Sequence, residues 1–459
     1  MSFSVPMSRN EAILQNILGA NNVIGEPQSR IEAILQAILN STSYDEEPQS
    51  RIEELLLAIK NGGIFTDFPI SRNEEILLCI LNGETYDKEP QSRIEELLIE
   101  WAEASANPFL IIQKRVRAGT AAQYYTPHTS QITVKRESED LVFDVVGIDE
   151  ETPADSNYTH SLTLQLHNCY DSLQFDSKEA LFAVGPSGMA AGTYHFKCVN
   201  QPWHTEAQGK SFQFTLTQDL SEGAVLVLDN AYNGNFSTIS TYAGPASTTR
   251  IEQVAVTEGT DGTDLGDVRN AFTGDYTNSI QRALLGNNRY GQSAIRQLLN
   301  SDKAKNTFWE PKNKWDRAPS WNSTKDGFLY GLDERFVAVL GEVKTKTALN
   351  TVCDGGGYEE LTDKIFLPSR INVFGGNENS IAEGQVFTYY GPEFSDLSTA
   401  GTGADTNRIK KINTSNTYWW LRSPTSSSAN YVRNIYTSGA LSSTSASSTN
   451  GIAPACALI

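Results

Sequence analysis

Pro6, Pro27, Pro48, Pro69 and Pro90 stand 21 residues apart, and each opens the same motif, Pro-x-Ser-Arg-x-Glu. Five copies without a slip in spacing make the first hundred residues an array and not a conventional domain. Each copy spells out one short helix. In the second copy Ser29 is placed as the N-cap, Glu32 follows three residues later, and Pro27 blocks any preceding helix. Ile31, Ile34, Leu35 and Ile38 then fall on one face. The third copy repeats the stripe with Ile52, Leu55, Leu56 and Ile59, and the fifth with Ile94, Leu97, Leu98 and Trp101. Copies one and four carry Asn10 and Asn73 at the first stripe position.

A helix of about ten residues is marginal alone in water, so each stripe must be covered. The helices can pack on one another, on sister subunits, or on a groove of another protein. Polar connectors such as "NSTSYDEE" are long for a tight solenoid, and they favour self-association or docking. The expected anchoring residues are Arg9, Ile13, Leu14, Arg30, Ile34, Leu35, Arg51, Leu55, Leu56, Arg72, Ile76, Leu77, Arg93, Leu97 and Leu98. The recurring arginines sit near the helix start, the unfavourable end of the helix dipole for a cation. They call for a specific carboxylate, either on a partner or on a glutamate of the array.

The net charge of −19 argues against a nucleic-acid partner. The array holds much of it, with 18 acidic and 7 basic residues among the first 105. No apolar run reaches about 18 residues, so membrane insertion is not expected. The opening "MSFSVPMSRN" lacks the basic and apolar regions of a signal peptide. Cys79, Cys169, Cys198, Cys353 and Cys456 are scattered, and the five histidines show no metal-ligand spacing. Neither a metal nor a cofactor is expected.

Residues 106–262 read as β: "LVFDVVGI", "HSLTLQLH", "GTYHFKCV", "KSFQFTLT" and "AVLVLDNA" are short runs separated by turn residues. The pattern predicts an antiparallel β-sandwich, with Trp203 in its core or rim and "VTEGTDGTDLGD" as the linker out. Residues 263–459 form a third region, opening on helices at "DVRNAFTGDYTNSIQRALL" and "GQSAIRQLLNS". The expected class is thus multidomain α+β: helical repeats over 1–105, a sandwich spacer over 106–262, and a ligand-binding domain over 263–459.

The last region carries "DKIFLPSRINVFG" from Asp363, "WWLRSP" from Trp419 and "GIAPA" from Gly451. Together these resemble a domain of unknown function common in bacteriophages and prophages, in the formylglycine-generating-enzyme-like branch of the C-type-lectin fold. The Ser-Arg-x-Glu repeats resemble N-terminal arrays of phage structural proteins. Several members of that lectin-fold branch are diversified by retroelements. The resemblance implies a variable region over 415–450, where Ser, Thr, Asn, Tyr and Ala run between the "WWLRSP" and "GIAPA" anchors. Those residue types suit a binding face: Tyr gives rigid area, and Ser, Thr and Asn give adaptable hydrogen bonds.

The candidate face is Thr425, Ser428, Asn430, Tyr431, Asn434, Tyr436, Ser442, Ser443, Thr444, Ser445, Ser447 and Ser448. Trp419 and Trp420 are expected in the core, and Arg422 and Arg433 against internal carboxylates. Catalysis is not expected. Formylglycine chemistry needs paired cysteines, this region offers only Cys353 and Cys456, and residues 205–459 contain no histidine.

The reading is a virion-associated fibre or receptor-binding protein. Its repeats attach to a capsid or tail protein, and its C-terminal face binds a host-surface protein or glycan. The expected assembly is a homo-oligomer, a trimer by family analogy. The alternatives are a head-fibre or decoration protein without a variable role, or a prophage-encoded surface adhesin.

Overall fold

A computed structural model describes residues 5–20, 22–199, 207–229, 237–269, 279–391 and 405–459. The chain divides into two compact units. One contains residues 1–124 and the segment Glu334–Val339; the other contains most of the remainder.

The first unit is a closed ring. Its five helices are α1 (Arg9–Ile17), α2 (Arg30–Leu39), α3 (Arg51–Asn61), α4 (Arg72–Asn82) and α5 (Arg93–Ala106). Each helix packs on the next, and α5 packs back on α1. The motif is accounted for atom by atom. Ser8, Ser29, Ser50, Ser71 and Ser92 cap the helices by accepting the N–H of the glutamate three residues on. That glutamate's carboxylate reaches back to the N–H of the residue before the serine, at 2.8 Å for Glu32 and Gln28.

The same carboxylate receives the arginine of the preceding copy: Arg9–Glu32 at 3.0 Å, and Arg30–Glu53, Arg51–Glu74 and Arg72–Glu95 at 3.1 Å. Arg93 closes the circle onto Glu11 at 3.3 Å. The carboxylate partner therefore belongs to the array. Burial would push these glutamates up, but the hydrogen bonds win. The backbone N–H donors lead in holding Glu32, Glu53 and Glu74 below the usual carboxylate range, and Arg72 leads for Glu95.

This corrects the expectation of docking through the stripes. Ile13, Leu14, Ile34, Leu35, Leu55, Leu56, Ile76, Leu77, Leu97 and Leu98 are all buried in the ring's own core. Arg9, Arg30, Arg51, Arg72 and Arg93 are spent on neighbouring copies. The connectors are long because they pack: Tyr44, Phe65 and Tyr86 lie under Arg30, Arg51 and Arg72. The arginines also donate to connector carbonyls, as Arg51 does to Phe68 at 2.6 Å. Gly62 and Gly83 end α3 and α4 at φ 67° and 69°, a turn that L side chains rarely adopt.

The unit runs past residue 105. Asn107 caps α6 (Pro108–Arg117), and its amide also donates to the Arg335 carbonyl at 2.9 Å. Phe109 meets Phe336 edge-on at 5.1 Å.

The second unit opens with strands β1 (Gln131–Arg136), β2 (Glu139–Ile148), β3 (Leu162–Leu166) and β4 (Asp171–Gln174). Then follow β5 (Phe182–Ala183), β6 (Gly192–Val199), β7 (Ser211–Leu216), β8 (Val225–Leu228), β9 (Thr238–Tyr242), β10 (Arg250–Glu258) and β11 (Thr263–Arg269). These last seven form one sheet in the order β11-β6-β7-β10-β9-β8-β5. Its core gathers Phe196, Phe212, Phe214, Leu226, Leu228 and Ile239, and takes in Ile280, Ala283 and Leu284 from helix α7 (Ile280–Leu285).

The C-terminal elements are helix α8 (Ala294–Leu299), the short helix α9 (Glu334–Val337, in the ring unit), β12 (Leu340–Gly341), β13 (Val343–Ala348), β14 (Tyr358–Asp363), β15 (Ile365–Phe366) and helix α10 (Arg370–Phe374). They continue with β16 (Lys410–Ile412), β17 (Ser415–Thr417), β18 (Trp419–Pro424), β19 (Tyr431–Ile435), β20 (Leu441–Ser445), β21 (Thr449–Ile452) and β22 (Ala455–Leu458). One sheet runs β1-β2-β3-β22-β12 with β15 also on β22, and another runs β20-β19-β18-β21-β4.

The expected sandwich over 106–262 is thus corrected. Its first strands, β1 to β4, complete the sheets of the C-terminal region, and only β5 to β11 stand as a sheet of their own. The five strand readings hold, but β3 is buried along its whole length because β2 and β22 flank it. The expected linker is not a linker: it holds the end of β10 and most of β11, which pairs in parallel with β6. Residues 267–269 are strand where a helix was expected, and the helix begins at Ile280. Trp203 lies outside the described residues.

Candidate functional site: the β18–β20 hairpin face

Two tryptophans fix the strand on which the candidate face is built. Trp419 and Trp420 point to opposite sides of β18, and both are fully buried. The Trp419 indole N–H donates to the Arg408 carbonyl at 2.9 Å, and that of Trp420 to the Leu173 carbonyl at 2.8 Å. Both belong to the core, as expected. Arg433 forms a two-pronged pair with Glu378, at 2.8 and 3.0 Å, and Arg370 shares that carboxylate at 3.1 Å. Arg422 differs from expectation. Its donors go to the Leu367 carbonyl at 2.8 Å, the Glu383 carbonyl and the Asn372 side chain, not to a carboxylate.

The turn from β18 to β19 is clamped. Ser428 Oγ donates to Asn430 Oδ1 at 2.8 Å and accepts the N–H groups of Asn430 and Tyr431. Asn288 donates to the carbonyls of Ser428 and Tyr431, at 2.7 and 3.0 Å. Gln281 accepts from the Ala429 N–H at 3.0 Å. Ser428 and Asn430 are consequently buried, at 4% and 2% exposure, and Asn434, further along β19, is buried at 1%. Thr425 is half-buried, and its backbone N–H bonds to the Tyr431 carbonyl at 2.7 Å.

The rest of the face is more open. In the β19–β20 register Tyr431 stands opposite Ser445, Arg433 opposite Ser443, Val432 opposite Thr444 and Asn434 opposite Ser442. The pleat therefore splits the candidates. Tyr431, Ser443 and Ser445 share one side with Arg433; Ser442 and Thr444 lie on the other. Thr444 Oγ1 donates to Ser448 Oγ at 3.4 Å. Ser447 is held by its N–H to the Leu285 carbonyl at 2.9 Å. Tyr436 is exposed at the hairpin end and packs on Tyr418, with ring centroids 4.6 Å apart. A hydrogen bond between the two rings raises the Tyr418 pKa.

Residue types alone did not single out Tyr418, Glu378 or Arg370. Tyr418 adjoins the tryptophan pair and was within reach of a closer reading. Glu378 sits in an Asn- and Gly-rich loop and carries no local signal. The hairpin can offer hydroxyls, phenols and a neutralised guanidinium. Cys456 is buried in β22 opposite Ile365, where burial pushes its thiol far up.

Residues 267–459 match a family model described as a domain of unknown function, DUF6273. No curated protein and no solved structure matches the chain.

Proposed function

We propose that the chain is a virion-associated fibre or receptor-binding protein. The ring attaches it to a capsid or tail protein, and the β18–β20 hairpin binds a host-surface protein or glycan. The observation that carries this reading is the contrast within one sheet. β18 is buried along its length, while β20 is partly exposed at all five of its positions, Leu441 to Ser445. A fixed frame that presents Ser, Thr and Tyr side chains is the arrangement of a binding surface that tolerates exchange. The C-type-lectin fold, retroelement diversification, the absence of catalysis and a homotrimer belong to the same proposal.

The test is to sequence the 3′ end of the gene across a natural population. Substitutions concentrated at Tyr431, Tyr436, Ser442, Ser443, Thr444 and Ser445, and scarce at Ser428, Asn430 and Asn434, support it. Uniform drift refutes the variable face. One observation favours the second reading, a decoration protein without a variable role: three of the twelve candidate positions, Ser428, Asn430 and Asn434, are buried and cannot vary freely.

A further inference from the structure

The five copies are of two kinds. Copies two, three and five read Glu-Pro-Gln-Ser-Arg-Ile, at Glu26–Ile31, Glu47–Ile52 and Glu89–Ile94. Copies one and four read Val5-Pro6-Met7-Ser8-Arg9-Asn10 and Phe68-Pro69-Ile70-Ser71-Arg72-Asn73. Three positions switch together: the acid becomes apolar, the glutamine becomes apolar, and the isoleucine becomes asparagine.

Folding does not explain the switch. The serine cap, the Arg–Glu pairs and the leucine row are the same in both kinds. The substituted apolar groups bury little, since Val5, Met7, Phe68 and Ile70 are 86%, 85%, 91% and 77% exposed. The asparagines work against stability. The first halves of the five helices enclose an axial pocket of about 120 Å³, lined by Asn10, Asn73, Ile31, Ile52, Ile94 and the leucine row from Leu14 to Leu98. In it the side-chain oxygens of Asn10 and Asn73 accept no hydrogen bond from the protein, and an acceptor left unmet there would cost about 1–3 kcal/mol. Two exposed apolar caps and two unsatisfied acceptors in an apolar pocket are features kept at the expense of stability, and binding accounts for them.

We propose that this end of the ring docks a partner polypeptide, which inserts one apolar side chain into the axial pocket. Its neighbouring backbone N–H groups donate to Asn10 and Asn73, and its flanking apolar residues cover Val5, Met7, Phe68 and Ile70. The ring's excess of acids, 18 against 7 bases in residues 1–105, disfavours an anionic lipid surface as the occupant. The inference rests on the reading of the ring as the attachment end. It moves the contact from the buried stripes to the caps and axis.

The probe is N-acetyl-leucine amide, titrated into the full chain and followed by methyl NMR. The methyls of Leu14, Leu35, Leu56, Leu77 and Leu98 should shift saturably, with a dissociation constant on the order of 10 mM. An analogue methylated at its amide nitrogens, and the variant N10I/N73I, should each weaken binding about tenfold. Ile occupies the same position in three copies, so the variant should fold; N73I alone serves if it does not. Shifts that never saturate, or equal binding by N10I/N73I, overturn the proposal. So does sedimentation of the chain with neutral phosphatidylcholine vesicles that V5E/M7Q/F68E/I70Q abolishes. A separate arm compares recovery of the wild-type chain and of V5E/M7Q/N10I/F68E/I70Q/N73I on purified particles. Loss confined to the variant supports the docking end, and equal recovery overturns it. Absence of both removes the attachment reading and leaves the titration to decide the pocket.

Discussion

The two units reach stability by opposite routes. In the ring the first four repeat arginines each meet a glutamate 23 residues away, and Arg93 of the last copy reaches back to Glu11 of the first. In the β-rich unit Gln165 bonds to Ala453, 288 residues away, and β4 pairs with β21 across the entire seven-stranded insertion. A repeated local contact can be read from one chain segment. A sheet closed by the last strands cannot form until the chain is nearly finished.

The largest expected effect tests that contrast directly. Deleting residues 455–459 removes β22 from the middle of its sheet. The β-rich unit should fail to fold while the helical circular dichroism of the ring persists. A single cooperative loss of both signals would mean that the two units are not separable. Next in size is Trp420→Ala, which should cost about 3–5 kcal/mol in the β-rich transition alone, measured by denaturant unfolding.

Within the ring, Arg51→Ala should lower the ring's unfolding midpoint, because Glu74 keeps its backbone donor but loses its cation. Arg93→Ala should lower it as much. If Arg93→Ala were silent while Arg51→Ala was not, the circle would be open in solution.

The smallest effect is one of pH, and its sign differs between the units. Glu32, Glu53, Glu74 and Glu95 have lowered pKa values. Their contribution to ring stability is present above the ordinary glutamate value of 4.5 and is lost as pH falls below it. Glu100 in α5, raised by burial, opposes them in part. In the β-rich unit burial raises Glu150, Glu151 and Asp316 to about 7. Those groups hold their protons in the fold, so their contribution falls as pH rises from about 4 to about 7. Thermal unfolding at pH 4 and pH 7 should move the two transitions in opposite directions.

What could be read in advance follows the same division. Helix starts, caps and stripes were legible because each depends on residues within one copy. Closure was not, since nothing in Arg93 marks it as the partner of Glu11. The strands at Leu141–Ile148 and Gly192–Val199 were visible as apolar runs. Their sheet membership was not, because register depends on partners far along the chain. At the candidate site the Ser- and Thr-rich composition marked out one stretch, which folds as β19, β20 and their turns. Composition is blind to the pleat and to the clamp on Ser428, and so it joined residues that face apart.

The contact between Arg93 and Glu11 also counts. An open solenoid can grow or shrink by whole units at its ends, because each repeat contacts only its neighbours. A circle has no ends. A sixth copy would force open a bonded seam and strand its leucine outside the axis, and a lost copy would leave a gap that four helices cannot span. Repeats that an open stack could add or lose are here held to a fixed number by geometry.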